Sequence, residues 1–136
     1  MEDLEILKEI YLKRLKDPFS TSGVLLPMEV VHDGEVIRVR RVVADIKRRR
    51  ESGGSWRKEA EALLKVLREV EEGMVERMKA SVERDEVERL FKEALQVERA
   101  IQDVEALLEG EVLETIHTED FEDIKRWIEY IKKLKG

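Results

Sequence analysis

Cysteine and asparagine are absent from this 136-residue chain, proline occurs twice, aromatic residues make up 5%, and glutamine is confined to Gln96 and Gln102. Without cysteine there are no disulfides, no thiolate nucleophile and no cysteine-ligated zinc or iron–sulfur centre. The longest apolar runs, such as GVLL at Gly23–Leu26, fall far short of the roughly 20 residues that span a bilayer. The start, MEDLEILKE, is acidic where a signal peptide is basic. These features predict a cytoplasmic protein with no membrane contact. The missing asparagine, set beside abundant Glu, Lys and Arg, is the bias expected of proteins selected for heat, and predicts a thermophilic source.

Charge is what the chain has: 43% of residues are charged against 42% apolar, with a formal net charge of −6. That balance favours charge-coated helices packed on one core rather than disorder, and the length suits a single domain over 1–136. The sequence predicts a mainly α helical bundle with a long antiparallel helix pair and a small β-hairpin near the N-terminus.

A first helix is expected over 1–17, capped by Asp3, with the stripe Leu4, Leu7, Ile10, Tyr11 and Leu15. It ends at Asp17 because the residue before a proline avoids helical angles. This opening, LEILKEIYLKRLKDP, resembles the first helices of archaeal replication accessory subunits of the GINS type; over fifteen residues of amphipathic pattern it assigns neither family nor residue roles. A hairpin follows over 27–40, since Asp33-Gly34 suits a two-residue turn with positive φ. Across that turn His32 faces Glu35, Val30 faces Ile37 and Met28 faces Val39, while Glu29 meets Arg38. A rival helix over 35–51 would align Val36, Val39, Val42, Val43 and Ile46 but strand Ile37, so a hairpin and then a basic helix over 41–51 is the preferred reading.

Ser52-Gly53-Gly54-Ser55 breaks the chain, and Ser55 is the expected cap of a helix over 56–82 with Trp56, Ala60, Leu63, Leu67, Val70, Met74 and Met78 on one side. Asp85 and Glu88 open its antiparallel partner over 85–109, whose stripe is Val87, Leu90, Phe91, Ala94, Val97, Ile101, Val104 and Leu108, with Gly110 as the stop. Thr118 caps a last helix over 119–134 carrying Phe121, Ile124, Ile128 and Ile131.

The charges are segregated. Residues 38–50 hold seven bases and one acid (+6), whereas 83–123 hold four bases and fifteen acids (−11). Arg38, Arg40, Arg41, Lys47, Arg48, Arg49 and Arg50 are therefore the candidate anion-binding residues, expected to point away from the apolar side. Such a segment can neutralise phosphates and release counterions, and arginine's planar fork suits phosphate better than lysine's point charge. The same residues could instead form a solvated face or dock on acidic helices of this chain or of a second copy. Trp56, just beyond them, could stack on a base, but its spacing with Ala60 and Leu63 favours the core.

Two E-x-x-H pairs, Glu29/His32 and Glu114/His117, have on a helix the spacing used by ferritin-like di-metal proteins. EVVH favours strand, where i and i+3 face opposite sides. Glu86, Glu88, Glu93, Glu98 and Asp103 could be imagined as magnesium ligands, but they lack paired E-x-x-E and E-x-x-D motifs and read as a solvated face; Glu98 alone sits near the apolar arc, at its edge or paired with an arginine. Serine, threonine and histidine never cluster as a nucleophilic site requires. No catalytic, cofactor-binding or metal-binding residue is expected. The sequence predicts a non-catalytic interaction or assembly module that docks a protein partner or, as a homodimer, a second copy of itself. The alternatives are a nucleic-acid-associated accessory factor and, more remotely, the di-metal protein.

Overall fold

Apolar residues recurring every three or four positions are buried only when two such stripes face each other, and this organises the chain. The computed structural model describes residues 2–116. In chain order it contains α1 (Glu2–Lys16), β1 (Val30–His32), β2 (Glu35–Ile37), α2 (Val39–Glu51), α3 (Arg57–Ala80) and α4 (Arg84–Ile116). α3 and α4, joined by three residues, pack closely as an antiparallel pair. All seven stripe residues named for the third helix are buried, as are Val87, Leu90, Phe91, Ala94, Val97, Ile101 and Val104 of α4, while Leu108 is partly buried. Ala100, outside the expected stripe, is fully enclosed, and its small side chain suits the close approach of two helices. The mainly α architecture with one small hairpin is as the sequence predicts; the helix expected over 119–134, with its cap Thr118, lies outside the described residues.

Several boundaries differ from expectation. The hairpin keeps the register Val30↔Ile37, Val31↔Val36 and His32↔Glu35, turning at Asp33 (φ 50°) and Gly34 (φ 78°), but it stops there. The pairs Met28–Val39 and Glu29–Arg38 do not form. Val39 instead opens α2 and, with Val43 and Ile46 at i+4 and i+7, is buried almost completely, which a strand position would not allow. Ser55 does not cap α3. Trp56 takes the cap position with no side-chain hydrogen bond, because burying an indole outweighs the roughly 1 kcal/mol of a serine cap. The opening of α4 falls one residue earlier than Asp85: the Ser81 hydroxyl accepts the Glu83 N–H at 3.2 Å and the Glu83 carbonyl accepts from Val87 at 3.1 Å.

Gly110 does not stop α4, which continues to Ile116. A helical glycine costs only about 1 kcal/mol, and here its missing Cβ leaves room for Arg50, whose Nη2 lies 3.0 Å from where that atom would stand.

α1 lies along α4 in the same direction. Tyr11 stacks on Phe91 with centroids 4.0 Å apart and planes 6° from parallel. Beyond the helix, Gln102 Nε2 donates to the Pro18 carbonyl at 3.2 Å and Arg99 Nη1 to that of Thr21 at 3.3 Å. Of the expected α1 stripe, Leu15 is buried and Leu4 and Tyr11 are partly buried, whereas Ile10 is 45% exposed. The place facing the core belongs to Lys8, one turn from Leu4 and Tyr11. Its Nζ donates to the Lys79 carbonyl at 2.8 Å and pairs with Glu5 at 3.2 Å. A cation here meets the negative end of α3. Lys8→Met keeps the volume and loses the bond, so urea unfolding should show a loss of about 1–2 kcal/mol; an unchanged midpoint would mean that the ammonium holds nothing.

Candidate functional site

The cationic segment is held by α2. Its buried side, Val39, Val43 and Ile46, sits on the α3–α4 pair, so geometry at 3.6 residues per turn puts Arg41 and Arg48 on the opposite side. Both are exposed, as are Arg38, Arg40 and Lys47. Arg38 occupies the position before the helix, and its carbonyl accepts the Val42 N–H at 3.0 Å. Arg40 Nε donates to the Leu26 carbonyl at 2.8 Å, tying the 24–28 loop to the first turn of α2.

The seven candidate cations divide by surroundings. Arg49 is engaged within the chain: Nε donates to Asp45 at 2.9 Å, Nη1 donates to Glu59 at 2.7 Å, and Nη2 contacts both carboxylates. These bonds push its pKa above the already high value of arginine. They also act on Asp45, where hydrogen bonds from Arg49 and then Arg48 hold the carboxyl below its usual range. Arg48 shares Asp45 but keeps 79% of its side chain in water. Arg50 corrects the expectation that every arginine points outward. Its guanidinium carbon lies 5.7 Å from the Trp56 ring centroid and its tip reaches Gly110, because the long apolar stem and the cation–π contact let it join the inner side of α2. Trp56, 7% exposed beneath it, is a core residue and is not available to a base. Arg38, Arg41 and Lys47 have no side-chain hydrogen bond or ion pair among the described residues.

Beside this face stands an apolar patch. Val31 and Val36 pair across the hairpin on the side away from the core and are 64% and 58% exposed; Leu25 and Met28 in the preceding loop are 69% and 67% exposed. The Arg40–Leu26 bond places that loop against α2, so apolar and cationic surfaces adjoin.

The first E-x-x-H pair is not on a helix. His32 closes β1, and its Nε2 lies 2.6 Å from Glu69 of α3, while Glu29 is exposed. The ferritin-like arrangement is not built from this pair; the second pair ends at His117, outside the described residues. Of the acids considered for magnesium, Glu88, Glu93 and Asp103 each pair with the arginine one turn earlier, at 3.3, 3.1 and 3.3 Å. Glu98 has a neighbour that sequence reasoning missed, for it acts on the carboxyl of Glu71 across the α3–α4 seam. Burial first, and Glu98 next, push the Glu71 pKa up to about 9. Glu71 could have been found from spacing: Leu64 and Met78, seven residues to either side on the same face, are both buried.

No helix among the described residues is long and apolar enough to cross a membrane. Comparisons with curated proteins and with solved structures give no match. Residues 3–132, nearly the whole chain, match a family of unknown function (DUF5788), and the chain belongs to that family.

Proposed function

We propose that this protein is a non-catalytic interaction module that docks an acidic protein partner through the outer face of the hairpin and the adjoining cationic face of α2. One observation carries the reading: the exposed Val31–Val36 pair and the exposed Leu25 and Met28 of the preceding loop adjoin Arg40, which bonds to that loop at the first turn of the cationic helix. An apolar centre rimmed by arginine is the anatomy of a protein interface, and contiguous exposed apolar surface on a small domain marks a binding site. Composition supports placing the protein in the cytoplasm of a thermophile.

The test is quantitative affinity capture with the full chain beside two surface variants, Val31→Asp/Val36→Asp and Arg41→Glu/Arg48→Glu. The expected result is an acidic protein held by the parent, weakened by salt and lost from both variants. A partner retained by both would overturn the reading.

A second reading, a nucleic-acid-associated factor, is favoured by Arg38, Arg41 and Lys47 standing without side-chain partners among the described residues along α2. With Arg48 they offer about four phosphate contacts, so log affinity for duplex DNA should fall with log salt at a slope of about −3 to −4. Fluorescence polarisation with a labelled duplex at low salt decides it; no binding there removes this reading.

A further inference from the structure

The solvent side of α1 has no role in the fold described above. Ile6 and Ile10, one turn apart and 54% and 45% exposed, lie opposite the buried Leu15. The helix is also polar end to end: Asp3 and Glu9 precede Ile10, while Lys13 and Lys16 follow it. None of these four charges has an ion-pair partner among the described residues, even though Glu9 and Lys13 stand at i,i+4. Two further features lie at the ends. Phe19, just past the helix, is 82% exposed. Near the N-terminal end, Asp3, Leu4, Leu7, Val82 and Arg84 line a groove of about 240 Å³, and Val82 is 87% exposed.

We propose that this face binds a second copy of itself, α1 against α1 in antiparallel register, to form a twofold-symmetric homodimer. A twofold axis on the solvent side, at the level of residue 8, places Ile6 opposite the partner's Ile10, and the reverse. The same register sets Asp3 opposite the partner's Lys13 at both ends, so the Asp3–Lys13 charges and the two isoleucines complement themselves. It also carries the 17–19 turn of each copy past the N-terminal end of the other. An acidic or a basic protein partner would match only one half of the helix; a second copy matches both. α1 is roughly 22 Å long, so the shared area falls at the small end of specific interfaces and the dimer is weak, with a Kd on the order of 10–100 µM. This contact uses a different surface from the hairpin and α2, and stands whether or not those bind a partner.

Sedimentation equilibrium of the full chain between about 5 and 500 µM tests it. The average mass should climb from 16.0 kDa toward twice that value. Ile6→Asp/Ile10→Asp should remain monomeric throughout, with unchanged circular dichroism because both residues face water. Charge reversal gives a test that a simple loss of folding cannot mimic. Asp3→Lys alone and Lys13→Asp alone should each weaken the dimer about tenfold or more, and an equimolar mixture of the two should restore it, since every facing pair is then of opposite sign. A parent chain that stays at 16.0 kDa at the highest concentration overturns the proposal. So does a dimer untouched by the isoleucine variant, or a mixture no better associated than its components.

Discussion

Leu67→Ala should unfold with about 3–5 kcal/mol less stability than the parent and melt roughly 10–20 °C lower. Leu67 has no exposed surface and sits midway along α3, where Val97, Ala100 and Val104 of the facing helix are equally enclosed. Two helices meeting on small residues have little freedom to collapse into the space that the lost side-chain atoms would open. The cost is therefore the transfer term plus most of a cavity. Against a total stability on the order of 5–15 kcal/mol for a domain, that is a large fraction. Leu25→Ala is the comparison: with 69% of the residue already in water, it should change stability by no more than about 0.5 kcal/mol. Urea unfolding of both variants followed by circular dichroism makes the measurement. A Leu67 loss under about 1 kcal/mol would mean that the α3–α4 seam is not the core of the fold.

The seam was legible because periodicity is a property of the sequence itself. A stripe from Trp56 to Met78 cannot be satisfied by water, and the short 81–83 connection lets only an antiparallel neighbour cover it. The hairpin register was legible for the same kind of reason, since Asp33-Gly34 fixes the turn and the turn fixes the pairing. What escaped were places where a tertiary partner decides. Lys8 is inside because the end of α3 supplies a carbonyl seventy-one residues away, and Ile10 is outside because Lys8 occupies the inward position. Gly110 reads as a helix stop until Arg50 is known to need the space. The candidate site was half legible. Clustering of cations was plain in the sequence, but Arg49 is held by Glu59 and Arg50 is drawn inward by Trp56, both beyond the glycine linker, while Arg38, Arg41 and Lys47 are left at the surface. The apolar half of the site was masked by pattern reasoning itself, since Val31 and Val36 look like ordinary strand residues until the core is seen to lie on the other side of the hairpin.

Glu71→Gln should stabilise the protein by about 2–3 kcal/mol at pH ~9.5, raising its melting temperature by roughly 10 °C, and do nothing at pH ~4. In the unfolded chain this glutamate ionises near 4.5, whereas in the fold it holds its proton up to about 9. The folded state thus binds the proton more tightly, and the stability this provides is complete below about 4.5 and lost as pH rises through about 9. The cause is geometric. Oε2 of Glu71 is shut off from water with no donor to bond, and the neighbouring groups, Glu98 and Glu105, are acids that repel a second negative charge. For a fully enclosed carboxyl, every tenfold gain in proton affinity on folding corresponds to about 1.4 kcal/mol. Glu71 is only half-buried, and solvent screening reduces the effect to about 2–3 kcal/mol. Glutamine matches the protonated acid in shape and in having a donor, so parent and variant should coincide in acid and diverge in base. Glu98→Gln supplies a donor to an ionised Glu71 and should flatten the same profile from the other side of the seam. Thermal melts of the three proteins from pH ~4 to ~10 decide it: parallel curves would remove the carboxyl pair as a source of pH dependence.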